Sequence, residues 1–301
     1  MLSLKTGKPV AVIVGGMYDG KIIHISDKVD MKAAIKAPIS DILSDDYLLK
    51  NRPKKVPFSR IVTMRERLDD DEYDDLTDFR VQTREYLKNV SLKEFILHDG
   101  TLQQLPNPLT RDSIYIAGPS GSGKTTYAAN YIKQYKRVFK KGKVFVFSRL
   151  SEDPALDALG VNRIIINEEL VSDPISPDDL KNSLVLFDDI DTIPDKNINE
   201  SVRKLRDDIL ETGRHQDIYV ISTSHQLMNY KHTRTLLNEA TSVTFFTKSG
   251  SSYHTKRFLK EYCGLGVADI QKILSLPSRW VTIFKHFPMM VLYSSGCYLL
   301  S

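Results

Sequence analysis

Cysteine is scarce in this chain, with only Cys263 and Cys297 in 301 residues. No close-spaced Cys/His set accompanies them, so neither a disulfide framework nor a structural zinc site is expected. A reducing compartment is. Long apolar runs are missing too. No stretch approaches the ~18 residues of a membrane-spanning helix. Met1-Leu2-Ser3-Leu4-Lys5 has no apolar core of signal-peptide length. Nor is there a large excess of one charge. The net charge of +4 permits a nucleic-acid partner without requiring one. Internal repeats and low-complexity tracts are absent. What remains has the composition of a soluble globular chain, with room for one large domain, or one large and one small.

The most informative stretch present is Gly118-Pro119-Ser120-Gly121-Ser122-Gly123-Lys124-Thr125. It has the pattern G-x-x-x-x-G-K-T. Ile114-Tyr115-Ile116-Ala117 leads in as a strand, and Thr126-Tyr127-Ala128-Ala129-Asn130-Tyr131-Ile132 leads out as a helix. Strand, glycine loop and helix N-terminus are the context of a phosphate-binding loop, and they predict nucleoside triphosphate binding. The loop and Thr126 offer N–H groups that converge on an anion. Lys124 supplies a charge for the β- and γ-phosphates, and Thr125 a hydroxyl for Mg²⁺.

A second motif is Leu184-Val185-Leu186-Phe187-Asp188-Asp189. Four apolar residues suit a parallel strand buried on both faces. Ligands of open parallel sheets lie beyond the carboxyl ends of the strands, so Asp188 should reach the edge that carries Lys124. Asp188 suits Mg²⁺, an oxygen-seeking cation. Asp189 suits the orientation or deprotonation of an attacking water, with Asp191 close enough to compete. Tyr219-Val220-Ile221-Ser222-Thr223-Ser224-His225 ends another strand in a polar cluster. If that strand lies between the other two, Thr223, Ser224 or His225 would face the γ-phosphate as a sensor.

Glu211-Thr212-Gly213-Arg214-His215 closes the helix after Asp188. Gly213 suits a helix stop. Arg214 is then placed to reach a neighbouring subunit's nucleotide as an arginine finger, with Arg234 as its competitor. Lys133, Lys136, Arg137, Lys140, Lys141 and Lys143 interleave with Tyr135 and Phe139. They suit either a solvated helix end or a phosphate-backbone contact.

Strands and helices alternate from residue 112 onward, which predicts an α/β fold: a mostly parallel sheet covered by helices on both faces. Helices are read over about 124–135, 199–212, 252–262 and 267–275. Strands are read at 113–117, 143–147, 163–166, 184–187, 218–221, 242–246, 280–284 and 290–293, with a last pair around 297–300. The domains read from this are an appended β-containing region over 1–105 and a P-loop ATPase domain over 106–301. The appended region holds a β-hairpin over 10–25, the acidic run Asp69-Asp70-Asp71-Glu72-Tyr73-Asp74-Asp75, a helix over 76–90 and a short hairpin around His98-Asp99-Gly100.

Gly118–Thr125, Leu184–Asp189, the Gly213-Arg214-His215 and Thr223-Ser224-His225 pair, Leu237-Asn238-Glu239-Ala240, and Leu276-Pro277-Ser278-Arg279-Trp280-Val281 together resemble the DNA-packaging ATPases of large nucleocytoplasmic DNA viruses. These are the poxvirus-type branch of the FtsK/HerA superfamily. The resemblance covers about residues 105–301. It implies a RecA-like core and a homo-oligomeric ring. It implies ATP and Mg²⁺ as ligands, and ATP-driven movement of double-stranded viral DNA into a preformed capsid through a capsid or portal component. The implied location is the site of virus assembly in the host cytoplasm, or the virion. Many members place Glu after the Mg²⁺-binding Asp, where this chain has Asp189. Two other readings of the same loop are a nucleoside or small-molecule kinase and a non-hydrolysing nucleotide-dependent scaffold.

Overall fold

The computed structural model describes residues 2–4, 7–26 and 93–300. The acidic run 69–75 and the helix read over 76–90 lie outside the described residues. Two compact units emerge: Met1–Leu102 with Ser295–Ser301, and Gln103–Ser294.

In the first unit β1 (Leu2–Ser3), β2 (Lys8–Val14) and β3 (Ile22–Ile25) form an antiparallel sheet in the order β1-β3-β2. The hairpin read from the sequence is β2–β3, with Val10, Ala11, Ile13 and Ile23 buried. β4 (Glu94–Ile96) and β5 (Thr101–Gln104) flank the turn at 98–100.

The second unit starts with β6 (Ser113–Ala117), the glycine loop and α1 (Lys124–Val138). Then come β7 (Lys143–Ser148), α2 (Pro154–Asp157), β8 (Asn162–Ile165), α3 (Glu169–Ser172) and β9 (Ser183–Phe187). α4 (Lys196–Thr212), β10 (Tyr219–Ser224), α5 (Tyr230–Glu239) and β11 (Ser242–Phe245) follow. α6 (Ser252–Glu261), α7 (Val267–Ser275), β12 (Val281–Phe284) and β13 (Met290–Tyr293) complete it. Across the sheet the order is β13-β12-β11-β6-β10-β9-β7-β8. Pairing is parallel from β11 to β8 and antiparallel at β12 and β13. This is the mostly parallel sheet expected from the alternation of strands and helices.

Both faces of the sheet are covered because both parities of its strands are buried. Ile114, Ile116, Val144, Val146, Leu184 and Leu186 pack with Tyr127, Tyr131, Ile132 and Tyr135 of α1. The alternate residues Tyr115, Phe147, Val185 and Phe187 are also at most 0% exposed. Tyr127, Tyr131 and Tyr135 recur every four residues and so share one face of α1. The N-cap of α4 is Asp195, whose carboxylate accepts from the Ile198 N–H at 2.9 Å. α4 and α5 pack against each other.

β14 (Gly296–Leu299) belongs to the first unit, where it pairs antiparallel with β4. Two expectations change here. The short hairpin around 98–100 does not form as β4 against β5, since β4 takes β14 as a partner. Gly100 (φ +85) sits against the β2–β3 turn, where a Cβ would lie 2.5 Å from the Gly15 carbonyl oxygen. β5 instead lies beside β2 at the edge of the small sheet. The pair expected around 297–300 is one strand, β14.

Candidate functional site

β10 lies between β6 and β9, with Ser224 opposite Ala117 and Ser222 opposite Phe187. β6 and β10 end level, and β9 ends two residues short of them, so Asp188 and Asp189 run alongside Thr223 and Ser224. The next residues of the three strands, Gly118, His225 and Asp188, emerge at one edge of the sheet.

The loop between β6 and α1 is bound to that edge. The Gly118 N–H donates to the Ser224 carbonyl at 3.0 Å, and the Ser122 N–H to Pro119 O at 3.2 Å. Gly123 takes a left-handed conformation (φ 112) at the N-cap of α1, with no side chain capping the helix. Gly118 is required by space: a Cβ there would lie 2.6 Å from Phe246 Cδ2 and 2.7 Å from Ser122 Oγ. Gly121 (φ +72) faces open space. Ser120 and Thr126 are exposed and Pro119 and Thr125 half-buried. The first helical N–H to find a backbone partner is that of Tyr127, on Gly123 O. An uncapped helix start behind a loop that a Cβ would fill fits a phosphate group. The Ser122 hydroxyl is buried without a hydrogen-bond partner among the described residues.

Lys124 is only 6% exposed, and Nζ donates to Gly118 O at 3.0 Å. The same ammonium lies 3.3 Å from Asp189 Oδ2. That oxygen is also 3.0 Å from His225 Nε2. Asp189 adopts a left-handed backbone conformation (φ 44, ψ 41), which is uncommon without glycine though better tolerated by Asp than by most residues. Thr223 ties the paired carboxylates together. Its Oγ1 accepts from the Asp189 N–H at 2.8 Å and lies 3.1 Å from Asp188 Oδ1 and 3.0 Å from Asp189 Oδ1. One hydroxyl proton serves these two carboxylates in turn. Ser148 Oγ, at the end of β7, donates to Asp188 Oδ2 at 3.3 Å. Burial, then the like charge of Asp189, raises the Asp188 carboxyl above the usual range, and the Thr223 and Ser148 hydroxyls partly offset this.

Ser224 has a different partner, Asp191, whose Oδ2 accepts from Ser224 Oγ at 2.7 Å and from the His225 N–H at 3.1 Å. Asp189 and Asp191 thus take different partners: Asp189 meets Lys124, and Asp191 braces the tip of β10. Among the described residues no group of three or more His, Cys, Asp or Glu could hold a metal by itself.

Arg214 is not brought to this edge within the chain. It is exposed in a 3-10 turn, Gly213–Gln216, just before β10 begins, and β10 runs from there to the loop. Gly213 does end α4, but in a right-handed conformation (φ −60). A Cβ there would lie 2.9 Å from Arg111 Nη1, so a larger residue would push that guanidinium aside. Arg111 donates to Ile209 O at 2.6 Å and to Leu210 O, closing the last turn of α4. Arg234 is exposed on α5. The basic stretch after α1 is partly structural. Lys136 Nζ donates to Leu159 O and Gly160 O, while Tyr135 and Phe139 pack on Tyr219.

The reading of site residues from the sequence missed Phe246, Ser148 and Arg279. Arg279 Nη2 donates to Gly121 O at 2.9 Å across 158 residues. The residues around Arg279 were singled out by resemblance, but nothing local in the sequence marks it as a loop contact.

A model described as an AAA domain matches residues 110–253. The uncharacterized protein V3 of the Sputnik virophage is 50% identical over 205 residues, covering 67% of this chain and 83% of that protein. Among solved structures, the genome packaging NTPase B204 of Sulfolobus turreted icosahedral virus 2, in complex with AMPPCP, is 11% identical and covers 60% of this chain and 97% of that one, at a TM-score of 0.42. The cytoplasmic domain of the type VII secretion ATPase EccC of Thermomonospora curvata is 14% identical and covers 67% of this chain and 28% of that one, at a TM-score of 0.44. The chain belongs to one family with the virophage V3 protein, and its residues 110–253 form a P-loop ATPase domain of the AAA kind.

Proposed function

We propose that this chain is the ATP-hydrolysing motor of a genome-packaging machine, moving double-stranded viral DNA into a preformed capsid. The observation that carries the hydrolytic part is the meeting of Lys124, Asp189 and His225 on a single carboxylate oxygen at the sheet edge. The DNA part is supported by the resemblance of the motifs and by the virophage origin of the relative.

The loop N–H groups of 118–126 bind the phosphates, and Lys124 moves from Asp189 onto the β- and γ-phosphates as they enter. Thr125 and Asp188 are the residues that would hold Mg²⁺, which supplies charge neutralisation on the phosphate oxygens when bound. Asp189 accepts a proton from the attacking water as the new P–O bond forms and the β,γ-bridging bond breaks. Thr223 holds Asp189 in place, and His225 on the same oxygen is the sensor that reports the state of the γ-phosphate. Ser224 supports His225 through Asp191. Arg214 acts in trans on the nucleotide of the next subunit of a homo-oligomeric ring, which its exposure at the opposite edge permits. Residues 106–301 act as the ATPase domain, with 1–105 appended to it, and a capsid or portal component is the docking partner of the motor. Work takes place at virus assembly sites in the host cytoplasm. Among the described residues no helix is long and apolar enough to cross a membrane.

The test is steady-state ATP hydrolysis with and without long double-stranded DNA, alongside Lys124→Ala. DNA stimulation removed by the substitution is the expected result. Hydrolysis indifferent to DNA would overturn the translocation part. Phosphate transfer to a nucleoside in preference to water would make the protein a kinase, and tight binding without turnover would make it a scaffold.

A further inference from the structure

α4 carries two arginines, one turn apart, that the nucleotide site does not use. Arg206 is buried (3% exposed) and matched: Nε and Nη2 lie 2.8 Å and 2.7 Å from Asp207 Oδ1. Arg203 is half-buried and unmatched. Its Nε is sealed from solvent without a hydrogen-bond partner, and among the described residues no carboxylate forms an ion pair with it. Burial, then the like charge of Arg206, weakens the hold of Arg203 on its proton, and the more distant Asp191 and Asp207 offset this only in part.

Both guanidinium groups line a cavity of about 610 Å³ between α4, α5 and the tip of β10. That volume falls in the range of roughly 300–1,000 Å³ typical of small-molecule sites. Ile190, Ile193 and Leu236 give it an apolar wall, and Gln226 and Asn229 give it amides. The other charges in the wall are accounted for. Lys196 stands 3.9 Å from Glu200, Arg206 is held by Asp207, and Asp191 already accepts from Ser224 and His225. Among the described residues, Arg203 is the one cation of the wall without a counter-charge in contact.

We propose that this cavity is a second ligand site, taking a small organic oxyanion whose carboxylate or phosphate group sits on the Arg203 guanidinium. A planar fork of N–H donors matches either group with two parallel hydrogen bonds. A partly buried cation without a partner is costly, and an entering anion relieves that cost. The cavity is larger than an inorganic ion, so the body of the ligand lies along the apolar wall. The cavity reaches Thr223 and Ser224 at the tip of β10 and so borders the carboxylate pair, and no residue of the phosphate loop is in its lining.

The test uses the full chain carrying Lys124→Ala, so that the phosphate loop contributes less and no readout depends on hydrolysis. Inorganic phosphate and succinate are titrated separately against chloride at equal ionic strength, with the melting midpoint and calorimetric heat recorded. We expect at least one of them to raise the midpoint, and added Arg203→Met to remove that rise. A rise with phosphate alone assigns the site to phosphate esters, and with succinate alone to carboxylic acids. Arg203→Lys keeps the charge without the fork and should weaken binding by on the order of tenfold. It carries the test if the Met variant does not fold. No rise with either anion, or an equal rise in the Arg203 variants, would overturn the proposal.

Discussion

The ammonium of Lys124 and the carboxylate of Asp189 stand 3.3 Å apart, although β10 lies between the strands that deliver them. The pair holds each residue in position, so a substitution at Asp189 should separate binding from chemistry. Asp189→Asn keeps the shape of the side chain and removes its basicity. It should retain ATP affinity within a few-fold and lose about 10²–10⁴-fold in kcat, the usual worth of a general base. Nucleotide titration beside single-turnover hydrolysis measures both. Normal turnover would exclude Asp189 as the base and bring Asp191 forward.

Thr223 touches both carboxylates through one oxygen. Thr223→Val keeps the volume and removes the hydroxyl, leaving the Asp189 N–H without its acceptor. A drop in kcat of roughly tenfold is expected, equivalent to about 1.4 kcal/mol, with KM little changed. Thr223→Ser should recover most of it. An unaffected Val variant would mean that the hydroxyl does not position the pair.

The loop glycines should respond unequally. Gly118→Ala forces a Cβ to within 2.6 Å of Phe246 Cδ2, and Gly123→Ala places a Cβ on a left-handed backbone. Both should weaken nucleotide binding by roughly 1–3 kcal/mol. Only the first is a collision with a side chain, so Phe246→Leu should partly rescue Gly118→Ala and leave Gly123→Ala as it was. Nucleotide affinities of the four variants decide it.

Alkaline pH gives a further check on the core. Burial raises the Tyr127 hydroxyl to about 12, against an ordinary value near 10. Below about 10 the group is neutral in both folded and unfolded chains and its contribution to stability is complete. As pH rises from about 10 toward 12, the unfolded chain ionises first and stability falls. Denaturant midpoints measured across that window should decline, and Tyr127→Phe should make the decline shallower. An equally steep decline in the variant would count against the burial argument.

Much of the site was legible because its chemistry is local. Glycines, Lys124 and the carboxylates at the end of an apolar strand announce themselves within a few residues. The meeting of the ends of β6, β10 and β9 at one edge follows once the strand order is known. Phe246 and Arg279 were not legible, because a ring beneath a glycine and a guanidinium on a loop carbonyl carry no local pattern. The pairing of β4 with β14 was hidden for the same reason: the turn at 98–100 looks like a hairpin until its packing on Gly15 is seen. Gly213 was read rightly as a stop, but the guanidinium packed against it is that of Arg111, about 100 residues earlier in the chain.

Phe246 and Arg279 make the phosphate loop a property of the whole ATPase unit. A fragment ending after β10 would contain every recognisable nucleotide motif. It would lack the aromatic ring that sets the loop's depth and the guanidinium that anchors Gly121. Truncation from the C-terminal side should therefore extinguish nucleotide recognition while all the signature residues are still present.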